Sequence, residues 1–391
     1  MKKTILALLT ALILIFLCLS AALPAAAETS GSCGEGLTWT LEGGVLTVSG
    51  NGEMEDYTQK LSPWYDSRAE ITRIVLENGV TSIGEKAFVW CEGPESLVIP
   101  DSVTKLGFEA FYGCTGLRSL TVGKGLKYIG SFAFGWCEEL CEITVSQENP
   151  TFHSAGNCLI DTAAKELVVG CKTSVIPDDG SVTLIGDASF EGSGITSVVI
   201  PDSVTKIDHL AFFDCVKLKD VTIGNNVTSI GWNAFCACEE LTGVVIPDGV
   251  TEIANWTFYG CSKLKSATIP GSVSKIGANA FLGCLGLTDV YFAGSEEAWR
   301  SVSIGELNES LYRAAVHFGG APTEAALSGD VNGDGAVNKK DSLALKKYLA
   351  DPENHPIVLA AVDVNVDGCV NKKDSLRLKQ YLAGWAVALG A

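Results

Sequence analysis

One repeat length governs this chain. Residues 197–288 divide into four segments of 23, starting at Ser197, Asp220, Gly243 and Ser266, and the four align without a gap. The same columns recur in each. Ile200, Ile223, Ile246 and Ile269 form one. Phe212, Phe235, Phe258 and Phe281 form another, and Cys215, Cys238, Cys261 and Cys284 a third. Self-similarity at a fixed period in this range signals a solenoid. A segment this short cannot bury all its apolar columns alone, but stacked on copies of itself each column becomes a continuous ridge. Two short apolar alternations per repeat, such as Val198 to Ile200 and Val204 to Ile207, predict extended pieces. The Ala-Phe-Xaa-Xaa-Cys part, poor in β-branched residues, predicts a helical turn on the other side. With strands stacked about 4.8 Å apart, about nine or ten turns would span roughly 45 Å and leave two open ends to cap.

Three more copies begin at Arg73, Ser96 and Ser119, placing Phe88, Phe111 and Phe134 in the aromatic column. Residues 28–72 precede them out of phase. There Leu37, Trp39 and Leu41 alternate, Gly43-Gly44 turns the chain, and Leu46 and Val48 alternate again. That is a hairpin signal, suited to an N-terminal β cap in which Trp64 packs. Residues 142–196 exceed one repeat by 32. Insertions in a solenoid map to one face, and this irregular insert reads as a widened turn with a small strand pair of its own. A damaged copy follows, ending in Phe190, with Ser193 where the column has cysteine. Residues 289–318 leave phase as a C-terminal cap, with Trp299 expected over the last phenylalanine. Residues 319–328, GGAPTEAALS, have linker composition.

Fourteen cysteines suggest a disulfide framework, but Cys18 falls in the leader and leaves an odd thirteen. Seven of these, Cys91, Cys114, Cys137, Cys215, Cys238, Cys261 and Cys284, share one column. Buried free cysteine behaves as a small apolar residue, so a column of packed thiols is favoured over bridges between neighbouring turns.

The run Ile-Pro-Asp-Ser-Val-Thr-Xaa-Ile-Xaa-Xaa-Xaa-Ala-Phe-Xaa-Xaa-Cys resembles the BspA-like leucine-rich repeat of bacterial surface proteins. The resemblance covers most of the chain between the leader and residue 318. It implies an α/β solenoid over 73–318 that serves as a binding scaffold, without implying a particular ligand.

Residues 1–27 read as a secretory signal peptide, with Lys2 and Lys3, the apolar run Ile5 to Leu19, and Ala25-Ala26-Ala27 as cleavage site. The run is short for a membrane span. Phe16 and Leu17 are too bulky for a lipoprotein signal at Cys18. With no second apolar run of membrane length, an exported protein without a membrane span in the mature chain is expected. The net charge is −18, which speaks against nucleic-acid binding and against a basic face for anionic lipid.

Residues 329–391 hold a second duplication, starting at Asp330 and Asp363 with an offset of 33. Each half opens Asp-Xaa-Asn-Xaa-Asp-Gly and carries Asp at position 12. Calcium is a hard cation that takes six to eight oxygens, which an EF-hand loop supplies from positions 1, 3, 5, 7, 9 and 12. Here those are Asp330, Asn332, Asp334, the Ala336 carbonyl, Asn338 and Asp341, then Asp363, Asn365, Asp367, the Cys369 carbonyl, Asn371 and Asp374. Gly335 and Gly368 fill the turn at position 6. The loops end in Asp rather than Glu and one helix follows each, which together resemble a type I dockerin. The resemblance implies a small all-α domain with two loop-helix repeats and two calcium ions, docked on a cohesin module of a scaffoldin in a cellulosome. The positions by which dockerins meet cohesin map to Lys339, Lys340, Lys346 and Lys347 in the first half, and to Lys372, Lys373, Lys379 and Gln380 in the second.

The expected function is that of a secreted, non-catalytic cellulosome component whose array binds a protein or glycan ligand. The alternatives are a glycoside hydrolase and a cell-surface adhesin. An enzyme is disfavoured because no unassigned segment of catalytic size remains. His153, His209, His317 and His355 are scattered, and none sits in a metal or nucleophile motif.

Overall fold

The computed structural model describes residues 29–319; the leader and residues 329–391 lie outside the described residues. Each 23-residue copy becomes one coil. A long strand such as Ser96–Ile99, Ser119–Val122, Ser197–Ile200 or Ser266–Ile269 makes one side. A two-residue strand such as Lys105–Leu106 or Lys275–Ile276 makes the next. Successive coils pair in parallel, with Ser119 between Ser96 and Glu142, and Ser266 between Gly243 and Asp289. About ten such turns form a β-solenoid. Strand side chains alternate between faces, so Leu97 and Ile99 point inward and are buried while Val98 between them is exposed.

The third side departs from expectation. The Ala-Phe-Xaa-Xaa-Cys segments are not helical turns. Each holds two left-handed residues four apart: Lys86 and Trp90, Glu109 and Gly113, Asn233 and Ala237, Trp256 and Gly260. Between and at these positions, alternate N–H groups point along the solenoid axis. Lys86, Phe88 and Trp90 donate to the carbonyls of Phe108, Ala110 and Tyr112 on the next coil, and Asn233, Phe235 and Ala237 to Asn255, Thr257 and Tyr259. A helix would turn these donors back onto its own carbonyls. Buried main-chain groups must pair somewhere, and the coil-to-coil ladder satisfies them while letting identical coils stack.

Phenylalanine rings follow that ladder. Phe88, Phe111 and Phe134 stack with centroids 5.1 and 5.4 Å apart, and Phe190, Phe212, Phe235, Phe258 and Phe281 continue at 4.8 to 5.7 Å. Trp64 begins the column. It stacks on Phe88 at 5.2 Å, and its indole N–H donates to the Ala87 carbonyl at 2.8 Å. All cysteines among the described residues are free, and all of those but Cys141 are buried.

At the N-terminal end Leu37–Glu42 and Val45–Gly50 form the expected antiparallel hairpin. Gly43 and Gly44 both adopt positive φ, the two-residue turn whose twist matches the strands. Val45–Gly50 then pairs in parallel with Arg73–Leu76 and starts the ladder. At the other end, Asn308 is fully buried and stands in for a missing coil. Its Oδ1 accepts from the Phe281 N–H at 3.0 Å, and its Nδ2 donates to the Gly277 and Gly305 carbonyls at 2.9 Å. Trp299 packs on Phe292 at 5.1 Å rather than over Phe281. It lies one side further round the coil, following the helix Glu296–Arg300 that Ser295 caps.

The insert contains three strands, not two. Phe152–Ala155, Cys158–Asp161 and Glu166–Val169 form an antiparallel meander, whose last strand pairs in parallel with Leu184–Ile185. The long-strand ladder is interrupted between Arg73–Leu76 and Ser96–Ile99, between Glu142–Val145 and Ser197–Ile200, and between Asp220–Ile223 and Gly243–Val245; only the second interruption also breaks the phenylalanine stack. The buried apolar residues fall accordingly into two clusters, one ending near Cys171 and one beginning near Cys158.

Candidate binding surfaces

Three places on the described surface carry chemistry. The first is an open groove of about 730 Å³ along the outer face of the early long strands, where Val98, Thr121 and Thr144 occupy equivalent positions on successive coils. Asp101 lines it too, but one carboxylate oxygen already accepts the Lys124 N–H at 2.9 Å. β-Branched and hydroxyl side chains in a row offer contact area and hydrogen bonds without a reactive group.

The second lies on the turn side of the late coils. Trp232, Glu252, Ala254, Asn255, Trp256 and Lys275 border an open cavity of about 450 Å³. His209 stacks on Trp232 with centroids 4.9 Å apart, and its Nδ1 accepts the Trp232 main-chain N–H at 3.1 Å.

The third is internal, at the interruption of the phenylalanine stack. Glu191 is 5% exposed. Tyr112 reaches its Oε1 at 3.4 Å, while Oε2 has no hydrogen-bond partner. Gly135 makes room for it, since a Cβ there would lie 2.8 Å from Oε2. Burial pushes its carboxyl up to about 8, and the carboxylates of Glu109, Asp214 and Asp187 push the same way against the Tyr112 hydrogen bond. An acid placed where the equivalent coil positions hold Tyr112, Cys236 and Tyr259 is one that the repeat pattern does not announce.

Other reactive groups are quenched or dispersed. Burial raises the thiols of Cys137 and Cys284 to about 12, which removes their nucleophilic form at neutral pH. His153 contacts Thr162 and His317 contacts Asp289, far apart in the chain. No group of three or more His, Cys, Asp or Glu among the described residues could hold a metal ion. No described helix is long and apolar enough to cross a membrane. The twelve expected calcium ligands, Asp330 to Asp341 and Asp363 to Asp374, lie outside the described residues, as do the expected cohesin contacts Lys339 to Gln380. Sequence reasoning missed Glu191, Asn308 and the Trp232–Trp256 pair. Only the last left a signal, two tryptophans 24 residues apart, which is one coil plus one position.

An apolar interior sealed by coil-to-coil hydrogen bonds, with open and chemically mild outer faces, defines a repeat scaffold of the interaction class. The BspA type leucine rich repeat region matches residues 64–179 and 183–303 in six copies, and the chain belongs to that family. Residues 328–383 match the dockerin type I domain. Both are interaction modules, and no catalytic domain is evident. No curated protein matches the chain. Among solved structures, a leucine-rich repeat protein from Eubacterium ventriosum is 20% identical with a TM-score of 0.49, over 75% of this chain and 96% of that one. A leucine rich cell surface protein from Faecalibacterium prausnitzii is 21% identical with a TM-score of 0.47, over 71% and 98%. The pneumococcal vaccine antigen PcpA is 16% identical with a TM-score of 0.46, over 77% and 90%.

Proposed function

We propose that this is an exported, non-catalytic component of a cellulosome: the C-terminal dockerin docks on a cohesin module of a scaffoldin, and the repeat array holds a protein or surface ligand. The observation that carries the reading is one chain that joins a dockerin match to a repeat array without a catalytic domain. The donor set suits calcium. Each loop brings three carboxylates and three neutral oxygens, with a glycine at the sharp turn, and such a density of like charge is relieved by a hard divalent cation. Asp330, Asn332, Asp334, Ala336, Asn338 and Asp341 would hold one ion, and Asp363, Asn365, Asp367, Cys369, Asn371 and Asp374 the other.

Lysines cluster in the sequence beside the loops of an otherwise acidic chain, so the cohesin should present acidic groups. Lys339, Lys340, Lys346 and Lys347 repeat as Lys372, Lys373, Lys379 and Gln380, which gives two equivalent docking faces. Calorimetry of the full chain against a panel of cohesins tests this. Binding in calcium should vanish with chelator. Lys339→Glu with Lys340→Glu, or Lys372→Glu with Lys373→Glu, should leave binding nearly intact, and all four together should abolish it. Loss from one pair alone would leave a single docking face, and binding to no cohesin would overturn the reading.

A further inference from the structure

The cavity between Trp232 and Trp256 has a construction the scaffold does not require. Both indoles stand about 40% exposed, although large apolar side chains are ordinarily the ones a coil packs inward. Trp256 sits at the left-handed turn position of its coil, φ 55°, as Leu210 and Asn233 do on the two coils before it. Trp232 is held in place from behind: His209 stacks on it and accepts its main-chain N–H.

The rim is polar and already oriented. Asn255 Oδ1 accepts the Ala278 N–H at 2.9 Å, which fixes the side chain and leaves its NH₂ as a donor. Lys275 and Glu252 pair at 2.7 Å across the rim, both about half exposed. Aromatic faces flanked by fixed donors and acceptors match a ligand with an apolar CH face and hydroxyls around its edge. Charge narrows the class further. The net charge of −18 opposes a polyanion, and the paired Lys275 and Glu252 leave the rim without net charge to recruit an ion. A cavity of about 450 Å³ is of small-ligand size.

We propose that the Trp232–Trp256 cavity is a binding site for a neutral saccharide, with Trp232 and Trp256 stacking on sugar rings, and with Asn255, Glu252 and Lys275 bonding their hydroxyls. This rests on the array being the ligand-binding part of the chain and names both its ligand class and its face.

The test titrates the full-length protein with neutral hexasaccharides of β-1,4-linked glucose, xylose and mannose, reading indole fluorescence and calorimetric heat. At least one should bind and shift the emission. Trp232→Ala and Trp256→Ala should each weaken binding tenfold or more, and Asn255→Ala several-fold. All three should stay folded, with Asn255→Ala melting lowest because it gives up its bond to the Ala278 N–H. Saccharide binding unchanged in the Trp232→Ala, Trp256→Ala double variant would overturn the site while leaving the array a ligand-binding module. Binding to no neutral saccharide, or binding only to polygalacturonate or to a lysine-rich peptide, would overturn the proposal while cohesin docking stands or falls by its own calorimetry.

Discussion

The thiol of Cys261 donates to the main-chain carbonyl of Phe235 on the preceding coil, 3.1 Å away. Five sister pairs repeat it: Cys114 to Phe88, Cys137 to Phe111, Cys215 to Phe190, Cys238 to Phe212 and Cys284 to Phe258. The phenylalanine N–H faces the following coil while its carbonyl faces inward, where the thiol meets it. The cysteine column is therefore both filler and donor. Ser193 shows what the smaller side chain does in that place, since its buried hydroxyl finds no partner.

Cys261→Ala loses a buried hydrogen bond and leaves a small cavity. It should destabilise the array by about 1–3 kcal/mol, read as a lower midpoint in urea at an unchanged slope. An unaltered midpoint would show that the sulfur contributes neither packing nor a bond.

Burial holds the column thiols in their neutral form, with Cys238 and Cys261 well above the ordinary range. Among the described cysteines, iodoacetamide applied to the native protein at pH 8 should label Cys141 first, the only half-buried one. Peptide mapping by mass spectrometry checks the order. In denaturant without reductant most of the thirteen cysteines beyond the leader should count as free, and a majority in bridges would contradict the packed column.

Glu191 makes the array sensitive to base. Its folded-state pKa is raised from the ordinary 4.5 to about 8, so the folded protein holds this proton more tightly than the unfolded chain. Its contribution is intact below pH 4.5 and is lost progressively as pH rises from there through 8, about 3 kcal/mol of it by pH 7. Glu191→Gln should gain stability over the wild type at pH 8 and little at pH 4. Equal gains at both values would place the effect in packing rather than in the proton.

Asn308→Ala removes the amide that completes the last coil and leaves the Phe281 N–H and the Gly277 carbonyl without partners. The cost should be about 2–4 kcal/mol. Hydrogen exchange should report it locally, with faster exchange at the Phe281 amide and little change at the Phe111 amide.

Chelation should divide the molecule. Metal that binds only a folded form stabilises that form by mass action, and the described residues contain no candidate metal cluster. A calorimetric scan in EDTA should lose the transition assigned to residues 329–391 and keep that of the array. A single unchanged transition would count against the calcium loops.

What could be read from residues alone was whatever repeats. The Ile, Phe and Cys columns gave the coils and their interior, and Gly43-Gly44 gave the hairpin. The left-handed pairs were not readable, because Lys86, Glu109, Leu210 and Trp256 occupy positions where glycine would have been the signal. Without that signal, the segment has the composition of a helical turn. Glu191 and Asn308 were invisible because each occurs once. Their roles come from the coil that is interrupted beside one and the coil that is missing beyond the other, neither of which has a pattern in sequence.

The interruption between Phe134 and Phe190 has a mechanical meaning. A rod of equivalent coils carries tension evenly, each ladder rung as strong as the next. Here the phenylalanine stack stops at Phe134 and resumes at Phe190, the buried core divides in two, and a buried acid sits in the seam. Stretched lengthwise, the rod should part at this seam first, giving two steps in a force trace. Each block would stay closed around its own phenylalanine stack until its own step.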